Sequence, residues 1–101
     1  MDMKLPSSTG RELWSRHLAF LRVAPDRTFV KVVLTESTTD VEWRQVIRLL
    51  QEAGPQIPLV LQPCTPVPDS RGTGRTIGPP PPERVLGWLR QARGLLKDVR
   101  L

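Results

Sequence analysis

The sequence predicts an α/β fold: a parallel sheet assembled from βα units, with both ends of the chain lying in the sheet. Three observations predict it. Short β-branched or apolar runs alternate with segments whose apolar residues recur at helical spacing. The run Phe29-Val30-Lys31-Val32-Val33-Leu34 is almost wholly apolar, which suits a strand buried on both faces of a parallel sheet. Strands separated by helices pair in parallel through right-handed crossovers.

Met3 to Leu5, before Pro6, reads as the end of a first strand. Thr9-Gly10-Arg11-Glu12 fits a capping box, with a hydroxyl first and a carboxylate three residues on. The helix behind it, over residues 10–22, places Leu13, Trp14, His17, Leu18 and Leu21 on one face. Ala24-Pro25-Asp26-Arg27 is a turn. The second strand covers residues 29–34. A second capping box, Thr39-Asp40-Val41-Glu42, opens a helix over residues 39–53 with Trp43, Val46, Ile47 and Leu50 on one face. Gly54 and Pro55 stop it. The third strand covers residues 58–62, with Pro58 at its first position, where no ladder donor is needed. Residues 66–82 are rich in Pro and Gly and read as a long loop, functional or disordered. Pro82 suits the first position of a helix over residues 83–96, with Val85, Trp88, Leu89, Ala92, Leu95 and Leu96 as its apolar face. Residues 98–101 begin a fourth strand. The whole of residues 1–101 is one α/β domain, and its two terminal strands leave parallel edges that proteins usually cover.

Composition excludes several classes. The net charge is +5, but the fifteen basic residues scatter from Lys4 to Arg100. Only Arg90, Arg93 and Lys97 share a helical face, and a solvated face explains them better than nucleic acid. No apolar run approaches the roughly 20 residues that span a bilayer. The start lacks the apolar stretch of a signal peptide. The single cysteine excludes a disulfide framework or a cysteine-held metal cluster within this chain, and a reducing, cytoplasmic setting follows.

In parallel α/β folds ligands sit beyond the carboxyl ends of the strands. Lys4-Leu5-Pro6-Ser7-Ser8, Thr35-Glu36-Ser37 and Gln62-Pro63-Cys64-Thr65 reach that rim. Lys4 offers a cation, and Gln62 offers an amide that both donates and accepts. The set suits a polar ligand but holds no evident acid–base pair. Each residue alone is equally well an ordinary loop group. Gly72-Thr73-Gly74-Arg75-Thr76 lacks the ending and the strand–helix setting of a phosphate loop, so a plain loop accounts for it. His17 reads as a helix-packing residue, Cys64 as a free thiol without an adjacent base, and the tryptophans as core.

Four segments occur in order: residues 2–10 (Asp2-Met3-Lys4-Leu5-Pro6-Ser7-Ser8-Thr9-Gly10), residues 29–33, residues 58–66 and residues 96–100. Together they resemble the C-terminal half of the 7-carboxy-7-deazaguanine synthase family, radical S-adenosylmethionine (SAM) proteins of queuosine precursor synthesis. The resemblance covers most of the chain outside residues 66–82. It implies a partial (half) radical-SAM-type barrel around SAM and a [4Fe–4S] cluster. It further implies conversion of 6-carboxy-tetrahydropterin to 7-carboxy-7-deazaguanine, assisted by Mg²⁺. It assigns SAM contacts to Asp2, Met3 and Lys4 and to Gln62, Pro63, Cys64 and Thr65. The chemistry agrees, since Lys4 can pair with the SAM carboxylate and Gln62 can bond its hydroxyls or ring nitrogens.

The family's C-x3-C-x2-C motif is absent from this sequence, as are its Mg²⁺ and N-terminal substrate residues. One cysteine cannot hold a cubane cluster. The expectation is a C-terminal portion of such a protein, begun at an internal methionine or left by a split gene. It would have no catalytic or metal-ligating residues of its own and would be inactive alone. The alternative is a stand-alone α/β binding or scaffold module. The expected partner is the missing N-terminal half, or a second copy covering the open edges; membrane and nucleic acid are not expected.

Overall fold

Four parallel strands form the centre of the molecule, and each pairs with the next along the chain. The computed structural model describes residues 1–68 and 74–101. The strands are β1 (Asp2–Met3), β2 (Val30–Leu34), β3 (Leu59–Pro63) and, last in the chain, Val99–Arg100. Between them lie α1 (Pro6–Thr9), α2 (Trp14–Val23), a 3-10 turn (Pro25–Arg27), α3 (Asp40–Ala53) and α4 (Pro82–Arg93). Val67–Pro68 (β4) and Thr76–Ile77 (β5) make a small antiparallel pair, so the last strand is β6. The sheet order is β1-β2-β3-β6, all parallel. The sheet is open.

Register sorts the strand residues into two faces. Val30, Leu59 and Val99 form one row, and Met3, Val32 and Leu61 the next row on the same side. Every one of these residues is buried. Asp2, Lys31, Val60 and Arg100 form the row between them, on the opposite side, and all four are half-buried or exposed. Among the described residues, helices therefore cover one face alone. On that face α2, α3 and α4 lie side by side. Arg22 of α2 reaches Glu52 of α3 at 3.2 Å, and the Trp43 ring of α3 lies 5.9 Å from that of Trp88 in α4. Trp43 Nε1 donates to the Trp88 carbonyl, and Trp88 Nε1 donates to Asp40 at 2.8 Å. A sheet whose strands follow chain order and whose helices share one face is singly wound. A doubly wound sheet covers both faces.

The expectation that residues 29–34 are buried on both faces is thus corrected. The strand starts at Val30, Lys31 and Val33 are only half-buried, and Phe29 lies exposed before it. Pro58 precedes β3 rather than opening it, and its carbonyl accepts from Val30.

The second capping box forms as expected. The Thr39 hydroxyl accepts from Glu42 N–H, and the Glu42 carboxylate accepts from Thr39 N–H. The first does not form. Gly10, at φ 72°, ends α1 with its N–H on the Pro6 carbonyl at 2.7 Å. The Thr9 hydroxyl donates back to Leu5 O and accepts from Arg11 N–H instead. The helix expected from residue 10 begins only at Trp14, without a side-chain cap. The last helix opens at Pro82 and stops at Arg93, earlier than residue 96, with Gly94 N–H on the Arg90 carbonyl. Leu95 is consequently exposed, and Lys97 lies past the helix, off the face assigned with Arg90 and Arg93. The loop expected over residues 66–82 holds β4 and β5. Gly72 and Thr73, with the rest of 69–73, lie outside the described residues.

Both outer strands carry a side chain on their free edge. Met1 O accepts from Lys31 N–H, which turns the backbone groups of Lys4 outward. There the Lys4 N–H donates to His17 Nε2 at 3.2 Å. At the other edge Asp98 O accepts from Leu59, so the Val99 carbonyl faces outward, and Arg93 Nε donates to it at 3.1 Å. Side chains on edge groups oppose addition of a further strand.

Candidate rim site

The sequence places its candidate residues at the carboxyl ends of the strands, and the structure puts Asp2, Lys4 and Gln62 on the uncovered face, whereas Met3 and Pro63 share register with the buried Val32 and Leu34 on the covered side. Met3 pairs with Val32, and Val32 with Leu61, so the residues one step on, Lys4, Val33 and Gln62, follow at one level. Alternation turns them away from the helices. Lys4 and Gln62 are therefore at the same end, with one strand between them, about 10 Å apart at typical strand spacing.

A cavity of about 330 Å³ opens at the β1 end of this rim. Its walls are Asp2, Met3, Lys4, Leu5, Ser8, Thr9 and Val33. Asp2 turns one oxygen toward Lys31 Nζ at 3.5 Å. The Lys4 side chain is exposed. Together these give a cation, a carboxylate and two hydroxyl residues around an apolar floor of Val33. That set suits a zwitterionic or hydroxyl-rich ligand. Among the described residues no group of three His, Cys, Asp or Glu side chains could hold a metal ion.

The second half of the predicted set lies elsewhere. Gln62 is exposed on the open face but does not line the cavity. Pro63 is the last residue of β3, paired with Leu34, and lines a separate apolar groove with Pro79, Pro80, Pro82, Val85, Leu86 and Leu101. Cys64 N–H donates to the Leu34 carbonyl at 2.9 Å, and Thr65 is exposed. Burial, and then the Glu36 charge, push the Cys64 thiol up, away from thiolate reactivity. The Thr35-Glu36-Ser37 segment closes on itself: Thr38 Oγ1 accepts from Thr35 N–H, and Thr35 Oγ1 from Ser37 N–H.

Sequence reading missed three contributors. The sequence assigns Thr9 to a capping box. It makes Val33 part of a strand buried on both faces. The Asp2–Lys31 pair needed the register, which places the two residues opposite each other. His17 packs as a helix residue, but its ring meets the rim backbone rather than the core.

No helix among the described residues is long and apolar enough to cross a membrane. No known family profile matches the chain, and no solved structure matches it. One curated protein is similar. A 74-residue stretch is 39% identical to 7-carboxy-7-deazaguanine synthase from Geobacter sulfurreducens. The match covers 71% of this chain and 30% of that protein. The chain is a partial homologue of that synthase, spanning less than a third of its length.

Proposed function

We propose that this chain is the C-terminal portion of a 7-carboxy-7-deazaguanine synthase-like radical SAM protein and supplies part of its SAM rim. The 39% identity over 74 residues carries the reading. The fold is compatible with it. A singly wound sheet with one bare face suits an incomplete barrel, whose strands would turn that face inward. In this reading Asp2, Met3 and Lys4 form one SAM-contacting patch and Gln62, Pro63, Cys64 and Thr65 a second, on either side of β2. Lys4 holds a carboxylate by charge, and the Gln62 amide fixes a hydroxyl or ring nitrogen. The residues present fit SAM in charge and polarity.

They do not fit the [4Fe–4S] cluster. Cys64 is the one cysteine in the sequence, and a cubane needs several thiolates. Cluster, Mg²⁺ and most substrate contacts would come from residues outside these 101, and the radical conversion of 6-carboxy-tetrahydropterin would need them. The partner in this reading is the missing N-terminal half, or a second copy, covering the open sheet edges. The second reading, a stand-alone binding or scaffold module, is favoured by His17 and Arg93, which occupy edge groups where a barrel would continue.

An NMR titration with SAM separates the two. A few hydrogen bonds of about 1 kcal/mol each, with about twice that for the charged Lys4, give a dissociation constant near millimolar. Shifts confined to residues 2–8, 35–38 and 62–66 support the inherited rim. Shifts elsewhere, or none at several millimolar SAM, leave the scaffold module.

A further inference from the structure

The wall of the rim cavity includes Ser8 and Thr9, and both belong to the single turn α1. It is four residues long, buries none of them and has no side-chain cap at its start. A single turn is not stable by its own hydrogen bonds. Leu5, fully buried, anchors its beginning. Beyond that point the Ser7 N–H donates to Glu42 Oε2 at 2.8 Å, across 35 residues of sequence. Glu42 is a buried carboxylate on α3, and its other oxygen is already engaged. Oε1 accepts from Thr39 N–H at 2.9 Å and from the Thr39 hydroxyl at 3.2 Å. One carboxylate thus closes the capping box of α3 and fastens the turn that walls the cavity.

We propose that Glu42 is the positioning residue of the rim cavity, fixing Lys4, Ser8 and Thr9 from the helix layer by holding the Ser7 amide. The inference rests on the rim being the ligand site. Its physical content is separate and concerns acceptor number. A capping box needs one side-chain acceptor, and glutamine serves there as well as glutamate. Only a carboxylate has an acceptor oxygen left for Ser7. Glutamine at the same position has one oxygen and one donor NH₂, so it satisfies Thr39 or Ser7 but not both.

The test is Glu42→Gln in the full chain, with Thr39→Ala as the control that weakens the helix cap and leaves the tether. In Glu42→Gln the Ser7 amide exchanges about tenfold faster or more, the value for losing a charge-assisted bond. The amide shifts of Lys4, Ser8 and Thr9 move, and SAM binds more weakly, while the amides from Trp43 to Leu50 keep their protection. In Thr39→Ala the first turn of α3 loosens and Ser7 stays protected. Unchanged Ser7 exchange in Glu42→Gln overturns the proposal. So does equal acceleration in both variants, because the effect is then fraying of α3. If the parent chain shows no SAM binding, the proposed function fails, and the exchange data still decide the tether.

Discussion

The two faces of the sheet differ more than the strand sequences suggest. On the covered face Met3, Val30, Val32, Leu34, Leu59, Leu61 and Val99 all pack against helices, with at most 6% of any of them exposed. On the bare face Val33 and Val60 sit among Asp2, Lys31, Gln62 and Arg100. Apolar residues occur on both, but charges occur on one. The covered face carries stability. The bare face carries the groups that could meet a ligand or a partner, since nothing within the described chain has been spent on filling it. A parallel sheet is ordinarily buried on both sides, so the bare face is the feature that needs a functional account.

The largest effect expected from this contrast comes from a pair of adjacent truncations in β3. Leu61→Ala removes a side chain that is 1% exposed and should cost about 2–5 kcal/mol in urea unfolding. Val60→Ala, one residue away and facing out, should cost about 1 kcal/mol or less. Equal costs would mean that the second face is covered in solution, and would break the comparison.

The covered face was legible in the sequence, and the bare one was not, for a physical reason. Trp43, Val46, Ile47, Leu50, Val85, Trp88, Leu89 and Ala92 repeat at helical spacing because each helix buries a single stripe, and all of them are buried. Period therefore locates α3 and α4 and their inner faces, whereas of the face expected for α2 only Leu21 is buried. In β2 the period is masked. Val33 is apolar on the bare side, so the strand reads as a continuous run, and only Lys31 hints at alternation. Turn chemistry set a second limit. Thr9-Gly10-Arg11-Glu12 and Thr39-Asp40-Val41-Glu42 have the same signature, yet only the latter caps a helix. Gly10 takes a positive φ that terminates α1, a conformation that costs glycine nothing but sets the Cβ of Asp40, at the matching place, against the backbone. Of the rim residues, Lys4 and Gln62 could be placed at one end of the sheet from topology alone. That Gln62 misses the cavity wall depends on the strand between them, and Ser8 and Thr9 reach the wall only because α1 forms.

A smaller effect tests the charge on the bare face. The Asp2 and Lys31 side chains are 52% and 36% exposed, and their 3.5 Å pairing is solvated. Asp2→Asn should change stability by less than about 0.5 kcal/mol, and that small change should shrink further at high salt. A cost several times larger, insensitive to salt, would place the pair in a desolvated interface. The bare face would then be occupied by a second copy in solution, which the concentration dependence of the unfolding midpoint would reveal.

The smallest effect belongs to the edge of β1, where the two faces meet and His17 stands against the Lys4 backbone. Burial lowers the His17 pKa from its ordinary 6.5, and the Lys4 carbonyl, 3.4 Å away, pulls it partly back. The neutral ring accepts the Lys4 N–H, and a protonated Nε2 can only donate. The sign of the linkage follows from the lowered value. Between the folded pKa and 6.5 the unfolded chain binds a proton that the folded chain does not, so folding is opposed there. Stability should therefore be level above pH 6.5 and fall as pH drops through that window. His17 is the chain's one histidine, which leaves the window free of other imidazoles. The check is the urea midpoint from pH 5 to 8 in the parent and in His17→Gln. The parent should lose stability below pH 6.5 more steeply than the variant, and the Lys4 amide shift should follow the same titration. Parallel profiles would show that the ring does not hold the edge. A parent that gains stability toward low pH would mean that protonated His17 is the form the fold prefers, with the Lys4 carbonyl, rather than its N–H, as the partner that counts.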